Sequence, residues 1–215
     1  LFLDVLAFSG VLIATLPFII KNYGGDILLI TIAFGSFSFF QFFVSPLWGS
    51  LSDQIGRKPL IILNCLAELI ANIILAISNS LYLIFLARVI AGLFKTNVSV
   101  GTAYISDITN NDNRAKGMGM FGVAFGLGFT LGPLAGGLIA GSDFTPESLS
   151  SVAWYASAIN LINLIYVIFF LKESLKTKLD FKFIKVSKKL TDQILLAKDK
   201  ALYPFFLLIL IIYLV

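Results

Sequence analysis

Ile27–Trp48 and Val152–Leu171 each run for at least 20 residues without a formal charge. A helix of that length rises about 30 Å, the thickness of a bilayer's hydrocarbon core. Only 13% of the chain is charged and 58% is hydrophobic, whereas soluble domains carry roughly 25% charge. The sequence therefore predicts a multi-pass, all-helical membrane protein.

Apolar windows between polar and Gly/Pro punctuation predict spans near 1–20, 27–48, 59–78, 82–106, 117–140 and 152–171, with a seventh starting at 201. The segments 49–58, 107–116 and 172–200 hold 13 Lys and Arg, against one in 21–26, 79–81 and 141–151. The positive-inside rule then places the first set, and the N-terminus, in the cytoplasm, as in a plasma-membrane protein. The sequence starts at Leu1 and its last apolar run stays open at Val215, so a fragment is expected. The domains expected are a bundle over 1–171, a basic amphipathic linker over 172–200 and a truncated seventh helix over 201–215. Leu1–Ile20 has no basic leader and carries Asp4, which argues against a signal peptide.

With no His and one Cys, the chain offers no Cys/His metal cluster, no His-containing triad and no internal disulfide. No metal and no cofactor are expected. Gly117-x-Gly119-x-x-Gly122 satisfies a dinucleotide-binding pattern, but no strand precedes it and it opens an apolar span. Asn97-Val98-Ser99 fits a glycosylation pattern at membrane depth. The net charge of +4 arises from the Lys-rich segment 172–200, beside a span, and points to anionic lipid rather than nucleic acid.

Charges inside spans are costly, on the order of 2.5–3.5 kcal/mol at a helix centre, and mark wet or paired sites. They are Asp4, Glu68, Arg88 and Lys95. Positions 88, 92, 95, 99, 102 and 106 are Arg, Gly, Lys, Ser, Thr and Ser, a polar stripe at helical spacing. One face of this helix is then polar through most of the membrane and is expected to line a water-filled cavity or pack against polar partners. Gln41, Ser99 and Asn160, with Lys95, are candidate cavity groups. A purely structural ion pair is the competing reading of Arg88 and Glu68.

The segment Gly49-Ser50-Leu51-Ser52-Asp53-Gln54-Ile55-Gly56-Arg57-Lys58 resembles the signature loop of the major facilitator superfamily. Asp53 and Arg57 stand at the spacing of a helical ion pair. Gly128-Phe129-Thr130-Leu131-Gly132-Pro133-Leu134-Ala135-Gly136-Gly137 is similar to that family's antiporter motif. Gly122 and Gly126 form one small-residue row and Gly128, Gly132 and Gly136 another, allowing close helix approach, while Pro133 favours a kink. Leu3-Asp4 with Leu16-Pro17 resembles the first helix of the drug/proton antiporter branch, the tetracycline-resistance type. Arg88-Val89-x-x-Gly92 resembles the fourth-helix Arg of proton-coupled members, and Asp107 and Arg114 the charges flanking the next cytoplasmic loop. Two departures stand out: Glu68 lies about one turn from the third-helix acid of tetracycline exporters, and Lys95 occupies a position where small residues are usual.

The resemblance implies the N-terminal six-helix half of a twelve-helix transporter, built as two inverted three-helix repeats and completed by a C-terminal half. No clustered nucleophile and base appear in the sequence, so no enzyme is expected. The resemblance further implies that Gly49, Asp53, Gly56, Arg57, Lys58, Asp107 and Arg114 latch the halves together. A carboxylate, Asp4 foremost and then Glu68, would exchange a proton under the influence of Arg88 while a small solute is exported. Lys95 adds a second cation to the Arg88 face and favours an anionic or zwitterionic solute. Import of an organic anion or sugar-like solute, and a non-transporting receptor, stay open as alternatives.

Overall fold

The computed structural model describes residues 1–142 and 144–175. Among the described residues, eight helices make six candidate membrane spans. Span 1 is α1 (Phe2–Ala14) and α2 (Leu16–Asn22), span 2 is α3 (Ile27–Ile55) and span 3 is α4 (Arg57–Ala76). Span 4 is α5 (Leu81–Phe94) and α6 (Asn97–Ile108), span 5 is α7 (Arg114–Ala140) and span 6 is α8 (Pro146–Phe170). The described residues contain no strand. Most of the basic linker, and the whole of the expected seventh helix, lie outside the described residues.

The two broken spans are the first of each set of three. Span 1 breaks at Thr15, two residues before Pro17, whose missing N–H cannot extend the ladder. Thr15 keeps its own hydroxyl bonded to the Val11 carbonyl at 2.8 Å. Span 4 breaks at Lys95, whose ψ of 105° is extended. This corrects the polar stripe: 88 and 92 sit on α5, 99, 102 and 106 on α6, and no single helix carries all six positions.

Packing repeats with the same symmetry. Span 1 lies on span 5 as span 4 lies on span 2, span 1 touches span 6 as span 4 touches span 3, and spans 3 and 6 pack on each other. That is the contact pattern two inverted three-helix repeats require. Fully buried Leu16, Ile20, Ala33, Ala71, Ile84, Ala87 and Ala153 form the apolar centre. Phe39 and Phe43 of α3, Leu127 and Leu138 of α7, and Ile162 and Phe169 of α8 face outward.

The row Gly128, Gly132 and Gly136 is buried against α1. A Cβ at 132 would stand 2.7 Å from the Leu6 carbonyl oxygen and 2.9 Å from the Gly10 nitrogen. By contrast, a Cβ on Gly119, Gly122, Gly126 or Gly137 would meet nothing within 4 Å. The expected Gly122/Gly126 packing row therefore has no neighbour among the described residues. Helix α7 runs through Pro133 without interruption.

Candidate functional site

Lys95 ends α5 inside the bundle, about 21 Å along that helix, and Glu68 lies about 16 Å along α4. Both are near mid-depth. The Lys95 ammonium Nζ donates to Glu68 Oε1 at 2.7 Å and to Asp4 Oδ2 at 3.0 Å. It also lies 4.4 Å from the centre of the Phe8 ring, within cation–π range. Asp4 and Glu68 are 2% exposed and Lys95 7%, so the three charges share a desolvated centre.

A helix break in such surroundings frees backbone groups that water cannot reach, and each must find a partner. Two side chains supply them. Asn64 Oδ1 accepts from the Thr96 N–H at 3.1 Å, and Trp48 Nε1 donates to the Leu93 carbonyl at 2.7 Å. The amide of Asn64 simultaneously donates through Nδ2 to Asp4 Oδ1 at 2.9 Å. One Asn thus fixes the start of α6 and the orientation of the Asp4 carboxylate.

Arg88 does not form an ion pair with either acid among the described residues, although it lies in electrostatic reach of Glu68. Its Nε and Nη1 are buried without a hydrogen-bond partner, as are Asn72 Nδ2 and both amide atoms of Asn160. The cation in contact with Asp4 and Glu68 is therefore Lys95, expected as a cavity group, rather than Arg88. Lys95 is neutralised by two carboxylates, which removes the expected argument for an anionic solute from Lys95. Of the other cavity candidates, Gln41 and Ser99 are half-buried, and Ser99 donates to the Thr96 carbonyl at 3.2 Å.

A second polar cluster sits at one end of the bundle. Helix α3 continues through Ile55, so the signature segment is helical rather than a loop up to Gly56. Gly56 has φ of +112°, a conformation glycine adopts without strain, and the chain then restarts as α4. The Asp53–Arg57 pair, at 2.7 Å, therefore bridges two helices instead of lying along one. Arg57 Nε also donates to Asp107 Oδ2 at 3.0 Å, and its Nη1 to Ser52 Oγ. Lys58 Nζ donates to the Ile168 carbonyl at 2.8 Å.

Glu173 closes this cluster from the far end of span 6. Its carboxylate accepts the backbone N–H of Arg57 at 2.9 Å and of Lys58 at 3.1 Å, and of Ser174 and Leu175 at 3.0 Å. The first two are orphan donors of the α4 N-terminus, which has no side-chain cap of its own. Burial would raise the Glu173 carboxyl, but the four N–H donors win and hold it below its ordinary value. A Cβ on Gly56 would collide with that carboxylate. Ser174 Oγ adds a bond to Asp107 Oδ2 at 3.1 Å. Arg114 is exposed at the start of α7, and the cluster closes without it among the described residues.

Among the described residues, six packed spans, a buried charged centre midway along them and a polar clasp at one end define a multi-pass helical membrane fold. A family model of the Major Facilitator Superfamily matches residues 1–215, and the chain belongs to that superfamily. It is 34% identical over 140 residues to the tetracycline resistance protein, class C, of Escherichia coli, covering 65% of this chain and 34% of that protein. It is 35% identical over 140 residues to Major facilitator superfamily domain-containing protein 10 of Homo sapiens, covering 65% of this chain and 29% of that one. The crystal structure of the human organic anion transporter MFSD10 (TETRAN) superposes with a TM-score of 0.68 at 26% identity, over 87% of this chain and 50% of that chain. The chain thus spans about a third of those two relatives and half of that solved chain.

Proposed function

We propose that this chain is the N-terminal half of a proton-coupled exporter of a small organic solute, working by alternating access in the plasma membrane with its N-terminus in the cytoplasm. The observation that carries the reading is the placement of Asp4 and Glu68 on one buried ammonium at mid-depth. Two carboxylates around one cation leave an excess negative charge, which one proton or the approach of Arg88 removes. Such a centre binds a proton and loses it as its surroundings change, with no covalent chemistry. An inward proton supplies about 2.3 kcal/mol per 100 mV. In this reading Asp4, Glu68 and Lys95 hold the proton, and Gln41, Ser99 and Asn160 belong to the solute cavity.

The Arg57 cluster, from Gly49 through Lys58 with Asp107, serves as the cytoplasmic latch against the second half, and Glu173 anchors the linker to it. The Gly128–Gly132–Gly136 row sets the close approach of spans 1 and 5 that rocking of the bundle preserves. Everted vesicles carrying the full-length protein test the reading, with tetracycline and fluorescein as probes. Accumulation should collapse on adding an uncoupler; undiminished accumulation would exclude proton antiport.

A second reading, transport of an organic anion in either direction, is favoured by Arg88, whose Nε and Nη1 have no hydrogen-bond partner among the described residues. Transport of fluorescein but not tetracycline, abolished by Arg88→Gln, is its expected signature.

A further inference from the structure

The break in span 4 has no Gly or Pro at Lys95 or Thr96 to explain it. An uninterrupted helix would satisfy the backbone groups that the break frees. What opposes that continuous form is side-chain bonding: Trp48 on the Leu93 carbonyl, Asn64 on the Thr96 N–H, and Asp4 and Glu68 on Lys95. The Thr96 hydroxyl is buried and has no hydrogen-bond partner among the described residues. Only the bonds of Lys95 depend on charge, and they come from two different spans.

We infer that Lys95 is a positioning residue that carries the proton occupancy of Asp4 and Glu68 into the backbone, holding span 4 broken at Lys95–Thr96 while those acids are ionised and releasing the break when they are protonated. The inference deepens the proposed function and rests on its proton-binding centre. A protonated carboxyl no longer compensates the buried ammonium, and a desolvated charge without compensation must move or be lost. Lys95 is itself the extended residue, so displacing its side chain pulls on the peptide it shares with Thr96, whose N–H is pinned by Asn64. Asn64 also holds Asp4, so the Thr96 bond and the Asp4 carboxylate loosen together.

The charged groups facing Lys95 are Asp4 from α1 and Glu68 from α4, with Arg88 of α5 in reach of Glu68, while the Cys65 thiol of α4 packs toward α8. The charged residues of α3, α7 and α8 sit near the helix ends, at Asp53, Arg114, Lys116 and Glu147. Among the described residues, Lys95 is the basic group that the ion pairs bring into direct contact with both acids.

Hydrogen–deuterium exchange of the Thr96 amide, measured on the full-length protein in nanodiscs and corrected for the intrinsic pH dependence of exchange, tests this. Acidification should make Thr96 open about tenfold more often. Asp4→Asn/Glu68→Gln should hold it at the opened level at neutral pH, Lys95→Met should abolish the pH response, and Lys95→Arg should keep it. A wild-type amide indifferent to pH, or a full response in Lys95→Met, overturns the inference. Should Lys95→Met fail to fold, the acid double variant decides: a Thr96 amide as slow there as in wild type at neutral pH overturns it equally. Proton-coupled uptake of the probes in the same preparations separates the two readings. A responsive hinge without proton coupling refutes the transport mechanism and leaves the hinge standing; coupling with an unresponsive hinge does the reverse.

Discussion

Gly132→Ala adds one methyl group where spans 1 and 5 are closest. Its Cβ would lie 2.7 Å from the Leu6 oxygen, 0.7 Å inside the 3.4 Å at which ordinary contact begins, and 2.9 Å from the Gly10 nitrogen. Both obstacles are backbone, so α1 and α7 must separate by several tenths of an ångström. A gap of 0.5–1 Å forfeits roughly a quarter to a half of each dispersion contact. The Ser9 hydroxyl is displaced as well, and its 2.8 Å bond to the Gly128 carbonyl, worth about 1 kcal/mol net, is lost. Overpacking of this kind costs about 1–3 kcal/mol, giving a total of about 2–4 kcal/mol. Gly122→Ala, ten residues earlier on the same helix, meets nothing within 4 Å and should be neutral or slightly stabilising through helix propensity. Thermal unfolding of the full-length protein in detergent, followed by tryptophan fluorescence, compares them. Equal melting temperatures for the two variants would refute the packing argument.

Asn64→Leu removes the acceptor of the Thr96 N–H and one donor to Asp4 together, so a loss of about 2–4 kcal/mol is expected in the same melting assay. Asn64→Ser, which keeps a polar group, should recover part of it. Trp48→Phe removes the bond to the Leu93 carbonyl while keeping a smaller ring beside Phe94, and should cost about 1–2 kcal/mol; an unchanged melting temperature would contradict that bond's part in the break. Glu173→Gln weakens a remote helix cap, with an expected cost of ~1 kcal/mol. The Glu173 carboxyl is held below its ordinary 4.5 in the folded state, so its contribution is complete above that value and fades as pH falls through the lower, folded one. The wild-type advantage over Glu173→Gln should therefore shrink on acidification; an advantage that grew would contradict the cap.

The spans were legible because bilayer thickness imposes an unbroken apolar length, and the Gly128–Gly132–Gly136 row because its i, i+4 spacing puts three hydrogens on one face. The break at Lys95–Thr96 was not, since its cause lies in partners at positions 48 and 64, which no local pattern connects. Nor did charge type alone distinguish Arg88 from Lys95 as the cation of the acids: both fall on the interior side of span 4, and the break turns Lys95 toward Asp4 and Glu68. Asn64, Glu68 and Asn72 recur every four residues in an otherwise apolar span, and that polar row is the signal in the sequence that points to α4 as half of the site. Glu173 carries no such signal. It reads as one acid in a lysine-rich segment, and only the fold brings it to the bare α4 terminus.

Infrared difference spectroscopy of the full-length protein in lipid, following the carbonyl stretch of protonated carboxylic acids as pH is lowered, tests the central claim without knowledge of the solute. The account predicts a band that rises on acidification, is lost in Asp4→Asn/Glu68→Gln, and shifts its midpoint in Lys95→Met. A band that titrates identically in wild type and in the acid double variant would contradict it.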